Sequence, residues 1–334
     1  MKKNILAIAI ASAVAAPVAF ADAPTVYGQM NIAIDSYSYD GGASGMNVKH
    51  RNSRLGVKGS EDLGNGLKAV YQMEATVDYG DGKGATDGTK ATGFAMNRNT
   101  FVGVGGGFGT VVMGRHDSPL RMIQPNDGFA DSAAAGNNTS LFNGGLAGED
   151  RIDEVVAYLG KFGDISVAAA LVGQDSLAGA EDDSLTHTNS FSLAYGSKGK
   201  GIYAAAAMTG ETDSGRGAIT RATVQYNEAG LLASFMYNAE ADIGNSMTVG
   251  VAYKMGQITP RVKVAMVTYD AADATYDVDS LMNMAAGVDY SLGKNTSVYA
   301  EFASLAEGYR EKASDATTST AATTVMSVGL LHKF

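Results

Sequence analysis

From residue 25 onward, apolar and polar positions alternate along the chain. Val26, Gly28, Met30, Ile32 and Ile34 share one parity, and Thr25, Tyr27, Gln29, Asn31 and Asp35 share the other. The same pattern returns at 67–78, where Leu67, Ala69, Tyr71, Met73 and Val77 oppose Lys68, Gln72, Glu74 and Asp78. It returns again where Ile258, Val262, Val264 and Met266 oppose Thr259, Arg261 and Lys263. A period of two puts successive side chains on opposite faces of an extended strand, whereas a helix repeats every ~3.6 residues. About sixteen such segments are predicted, at 25–37, 48–60, 67–79, 97–105, 109–117, 150–160, 164–173, 187–196, 201–210, 217–227, 231–240, 245–255, 257–270, 280–292, 295–306 and 323–334.

The connections sort into two kinds. Short ones fall at 61–66, 106–108, 161–163, 197–200, 228–230, 256 and 293–294, and long ones at 38–47, 80–96, 118–149, 174–186 and 307–322. Tight turns at one end and long loops at the other predict an all-β fold, an up-and-down antiparallel barrel of about sixteen strands that crosses a membrane. Mean hydropathy is −0.04, and no stretch after Ala21 reaches the length of a transmembrane helix. A membrane-spanning chain of this kind must therefore use a closed barrel, in which every backbone polar group is satisfied.

Composition adds the route. Lys2 and Lys3 precede a mostly apolar stretch at 5–20, and Ala19-Phe20-Ala21 is a small-x-small cleavage pattern. Residues 1–21 thus read as an export signal, with residues 22–334 as a single barrel domain. The chain has no cysteine, which suits passage through an oxidising compartment. Its 42 glycines, 16 tyrosines and five prolines fit strands joined by many turns. The net charge of −10 argues against a nucleic-acid partner.

The last strand ends as an outward-facing row: Met326, Val328, Leu330, His332 and the terminal Phe334 share one parity. Such a row suits a strand recognised for membrane insertion, with Phe334 as the signal. Catalytic and metal constellations are not apparent. Gly103 to Gly109 is glycine-rich, but no Gly-Lys-Ser/Thr follows, so it reads as a turn. His50, His116, His187 and His332 lie in no nucleophile motif, and the acidic stretches 181–183 and 270–279 read as solvated loops. No enzyme, cofactor or metal site is expected.

Four stretches carry a resemblance to a known family: Thr25-Val26-Tyr27-Gly28, the run Ser53-Arg54-Leu55-Gly56-Val57-Lys58-Gly59-Ser60-Glu61-Asp62-Leu63-Gly64-Asn65-Gly66-Leu67-Lys68-Ala69, Phe108-Gly109-Thr110-Val111-Val112-Met113-Gly114-Arg115, and Gly329-Leu330-Leu331-His332-Lys333-Phe334. They span nearly the whole chain after the leader and resemble the general diffusion porins of Gram-negative bacteria, the proteobacterial and neisserial group. The resemblance implies a homotrimer of sixteen-stranded barrels in the outer membrane, in contact with lipid and lipopolysaccharide, passing ions and small hydrophilic solutes by passive diffusion. It also implies that a long third loop, here 118–149, folds into the lumen opposite a cluster of arginines on the wall.

Arg54 matches that cluster by motif and Arg151 by position, and both have a parity opposed to apolar neighbours; Arg98 lies in a stretch that alternates poorly. Lys58 follows Arg54 on the same face and extends the basic strip. The loop carries Asp127, Asp131 and Arg121, next to Asp117. Arginines facing carboxylates across a narrow water-filled gap create a transverse field that orients polar solutes. Gln29 stands where the family often has a lysine facing the bore, which removes one cation from it. Two other uses of the architecture stay open, a channel specific for one solute class and a surface barrel that mediates adhesion.

Overall fold

The computed structural model describes residues 23–40, 44–77, 94–129, 151–173, 188–211, 217–270, 279–306 and 323–334. The leader to residue 22, the third loop from 130 onward with Asp131, and the acidic stretch 181–183 lie outside these residues. Eighteen β segments form one antiparallel sheet that closes on itself. In chain order they are β1 (Thr25–Tyr39), β2 (Ser44–His50), β3 (Arg54–Gly64), β4 (Leu67–Val77), β5 (Phe94–Ala95), β6 (Thr100–Gly106), β7 (Gly109–Asp117), β8 (Arg151–Phe162), β9 (Ile165–Val172), β10 (Thr188–Ser197), β11 (Lys200–Thr209), β12 (Ile219–Glu228), β13 (Leu231–Glu240), β14 (Gly244–Tyr253), β15 (Ile258–Tyr269), β16 (Ser280–Ser291), β17 (Thr296–Leu305) and β18 (Thr323–Lys333). β2 and β3 pair with successive stretches of β1, and β5 and β6 with successive stretches of β4. Each couple is one interrupted stave, so the barrel has sixteen staves, each paired with its neighbour in sequence. The last closes on the first, from Gln29 opposite Lys333 to Tyr39 opposite Thr323.

The two faces are inverted relative to a soluble protein. Along β12, Arg221, Thr223 and Gln225 point inward and are buried, while Val224 and Tyr226 point outward and are exposed. Along β1, Asn31 and Asp35 are buried inside, and Met30 and Ile34 stand outside. A polar interior under an apolar outer wall is the arrangement of a barrel solvated by lipid. No described helix is long and apolar enough to cross a membrane; the strands do the crossing.

Turn chemistry sets the register. At the β3–β4 hairpin Asn65 and Gly66 take φ of 53° and 76°, the left-handed pair that a tight two-residue turn needs to match strand twist. The predicted long loop 38–47 is shorter than alternation suggested. β1 continues to Tyr39 and β2 begins at Ser44, because polar residues such as Ser36, Ser38 and Asn47 still pair across the hairpin. The predicted loop 80–96 likewise contains β5, and the strand expected to begin at 97 begins at Thr100.

Candidate functional site: the constriction of the bore

Three neighbouring stave pairs carry extra residues at one level of the barrel. Residues 51–53 bulge out between β2 and β3 opposite Met30 and Asn31, and Ser53 repairs the ladder by donating its hydroxyl to Asn31 O at 3.0 Å and accepting from Asn31 N at 2.9 Å. Residues 96–99 interrupt β5 and β6 opposite Glu74 and Ala75. Between β7 and β8 the register slips near Arg115, and Glu154 takes a φ of 52°. Bulges re-aim side chains that a regular ladder would hold in a fixed direction. Here they turn Asn52, Arg98 and Asn99 toward the lumen beside Arg54 and Arg151.

These groups line a cavity of about 510 Å³. Glu74 is its first anchor: Arg98 forms a close ion pair with it, Arg54 approaches to 3.9 Å, and Tyr27 donates its hydroxyl at 2.7 Å. Arg98 also donates to Asn52 Oδ1 at 3.2 Å. Asp117 is the second anchor, 3.0 Å from both Arg121 and Arg151 and accepting from Asn99 Nδ2 at 3.1 Å. Lys198 reaches the cavity from the β10–β11 turn. Among the described residues the lining thus holds Arg54, Arg98, Arg121, Arg151 and Lys198 against Glu74 and Asp117. Positive charge is in excess.

The third loop supplies the other side. It leaves β7 through a short helix, α1 (Pro119–Met122), whose first turn is preset by Pro119 and capped by Ser118, the hydroxyl accepting from Arg121 N at 3.0 Å. Leu120 and Ile123 bury themselves against Ala207 and Ile219 of the wall. From there the backbone is stitched to one stave after another. Lys198 donates to Met122 O at 2.7 Å and Gln124 O at 2.6 Å, and Arg221 to Leu120 O at 3.2 Å. Asn126 N donates to Gln225 Oε1 at 2.8 Å, Lys263 clamps Asp127 at 2.6 Å, and Phe129 packs under Arg261 with 5.0 Å from ring centre to guanidinium. Residues 118–129 therefore run across the bore from β7 to β15.

A channel-like lumen narrowed by an inward loop invites comparison with known proteins. The family model described as Gram-negative porin matches residues 7–307. The major outer membrane protein P.IB of Neisseria gonorrhoeae is 30% identical over 375 residues, covering all of both chains. The chain belongs to the Gram-negative porin family. The anion-selective porin from Comamonas acidovorans superposes with a TM-score of 0.71 at 21% identity, covering 93% of this chain and 99% of that one. The Vibrio cholerae outer membrane protein OmpT, solved in a trimer form, superposes with a TM-score of 0.64 at 15% identity, covering 94% and 100%. The porin resides in the outer membrane and forms a water-filled channel for passive diffusion of ions and small hydrophilic solutes.

The structure gathers three of the residues singled out from sequence, Arg54, Arg98 and Arg151, around the porin's cavity. Arg121 and Asp117, also noted in the sequence, line it too, whereas Lys58, Gln29 and Asp127 do not. Lys58 lies over the ring of Tyr27, 5.0 Å from its centre, and is exposed. Gln29 is buried and donates its Nε2 to Asn52 O at 3.0 Å, bracing the bulge that carries an arginine partner. Asp127, expected to face the arginines, turns to the far wall and Lys263, because that side of the loop is packed against β15. Asp131 lies outside the described residues. Phe334 sits at the closing seam, its backbone exchanging hydrogen bonds of 3.0 and 3.1 Å with Gly28. Sequence reasoning missed Glu74, Asn52, Asn99 and Lys198 as site residues. Glu74 had inward parity as its signal; Lys198, in a turn, had none.

Proposed function

We propose that this porin is a general diffusion channel whose constriction favours anions. The observation that carries this is the cavity lining, five cations against two carboxylates among the described residues. Where water excludes little of the field, such a local excess concentrates counter-ions of the opposite sign and repels cations. The Comamonas acidovorans protein of the same fold is described as an anion-selective porin, which agrees with this reading.

A homotrimer is the assembly, in keeping with the trimer form of the Vibrio cholerae relative in fold. The apolar outer wall meets the acyl chains of lipid and lipopolysaccharide. Phe334, held at the seam, acts as the insertion signal.

The test is the reversal potential of the purified porin in a planar bilayer under a potassium chloride gradient. The sign expected is that of chloride preference, with Arg54→Ala lowering the chloride-to-potassium ratio about twofold, as loss of a fraction of a kcal/mol through water would do. A reversal potential that Arg54→Ala leaves unchanged removes the arginines from selectivity.

A further inference from the structure

The basic cavity has an apolar neighbour. A second cavity of about 310 Å³ lies beyond Met122, closed by Met122 and Ile123 from the loop and by Leu159, Val167, Ala194 and Tyr203 from the wall of β8 to β11. Among the described residues its polar lining is Ser166, Ser192, Lys161 and the Tyr203 hydroxyl, with no carboxylate. Met122 lines both cavities, and Lys198, from the basic one, holds its ammonium 5.5 Å from the ring of Tyr203 in the apolar one.

Inward positions on β12 to β14 are mostly polar, among them Arg221, Thr223, Gln225, Asn238, Ser246 and Thr248, with Ile219, Met236 and Ala252 as the apolar ones. On β8 and β9 the inward positions include Val155, Ala157, Ala168 and Ala170, and on β10 and β11 Ala194, Tyr203 and Ala207 alternate with Ser190, Ser192 and Thr209. Alanine at this density leaves room, and only part of that room is taken by Leu120 and Ile123. Pockets that hold small molecules are typically about 300–1,000 Å³, mainly apolar, with a few polar groups fixing orientation. The two cavities together join a polar end to an apolar one, and among the described lining every charged group but Lys161 lies at the polar end.

We propose that the two cavities form one site for a small organic anion that carries an apolar ring or short chain. Its carboxylate sits among Arg54, Arg98, Arg121, Arg151 and Lys198, and its apolar part lies behind Met122 against Ala194 and Tyr203. This rests on the anion preference proposed above and adds a substrate class to it: aromatic or short-chain carboxylates are drawn in and retained more strongly than acetate.

The experiment measures block of potassium chloride current through the reconstituted porin by sodium benzoate and by sodium acetate. Benzoate is expected to half-block at a concentration about tenfold lower than acetate, equivalent to about 1.4 kcal/mol. Ala194→Leu, which fills the apolar cavity, is expected to bring benzoate back to the acetate value; its potassium chloride conductance steps report that it has folded, and Ala168→Leu replaces it if those steps are absent. Equal block by benzoate and acetate with chloride preference intact overturns the site and leaves the anion reading standing. Absence of chloride preference removes that reading and the site with it, because nothing then holds the carboxylate. Stronger block by benzoate that persists in Ala194→Leu puts the ring elsewhere and overturns the site.

Discussion

Arginine and lysine side chains point into the bore from both halves of the barrel, and the two halves put them to different uses. On the β3–β8 side, Arg54, Arg98 and Arg151, joined by Arg121, share Glu74 and Asp117 and line a cavity. On the β12–β16 side each cation has been given its own acceptors and taken out of water. Arg261 lies between Asp289 and Glu301, Lys263 on Asp127, and Arg221 on Leu120 O and Asn238 Oδ1. The side chains of Arg261 and Lys263 are 0% and 1% exposed. A matched, buried pair exerts little field in the water beside it, and its strength lies in what breaks when one member is lost. An unmatched excess in a hydrated cavity acts on passing ions. Residue type is the same in both halves; wall acceptors such as Asp289, Glu301 and Asn238, together with the covering loop, make the difference.

The largest effect that would break this contrast is expected from Lys263→Met. It leaves the Asp127 carboxylate buried without its cation, a defect that costs about 3–5 kcal/mol, and releases the loop from β15. Single-channel records should show a larger, noisier conductance, with Asp127→Leu in the same chain restoring quiet steps. Steady, wild-type currents in Lys263→Met would mean that the loop is held by other contacts. Next comes Arg98→Gln, which removes a cation and leaves Glu74 to act on the bore. The chloride-to-potassium ratio should fall about two- to fivefold, the range that follows from about 1 kcal/mol between charges ~4 Å apart in water. That is more than for Arg54, which sits farther from the same carboxylate. The smallest effect is expected from salt alone. Raising it from about 0.1 M to about 1 M shortens the screening length from about 10 Å to about 3 Å. The ratio should drift toward unity, while the current noise, set by the buried clamps, stays as it was.

Alternation alone makes most of the wall legible. It assigns each stave a face, separates Asn31 and Asp35 from Met30 and Ile34, and leaves Arg54 and Arg151 on the water side. Periodicity reports a face and says nothing of a partner across the lumen. Asp127 and Lys263 are 136 residues apart, and nothing local to either announces the other. Bulges are the other blind spot. Arg98 lies in the break between β5 and β6, so its stretch alternates poorly, and the irregularity that obscures it is what aims it at Glu74. Asn52 is hidden for the same reason, within a bulge that adds a residue without disturbing the pattern on either side. The resemblance to a family supplies what periodicity lacks, the inward course of the third loop, but not which wall its carboxylates would choose.

The closing register between β1 and β18 has a consequence for how such a molecule comes into being. Every other described stave pairing joins segments that are neighbours in the chain. The seam alone unites residues as distant as Gly28 and Phe334. Until the final residues arrive, the sheet has two raw edges, each a template for any passing strand. Completion is therefore a single late event that removes both hazards at once. Conversely, opening the finished wall from an end means parting the seam, and its eleven paired positions make it one of the longest ladders around the circumference.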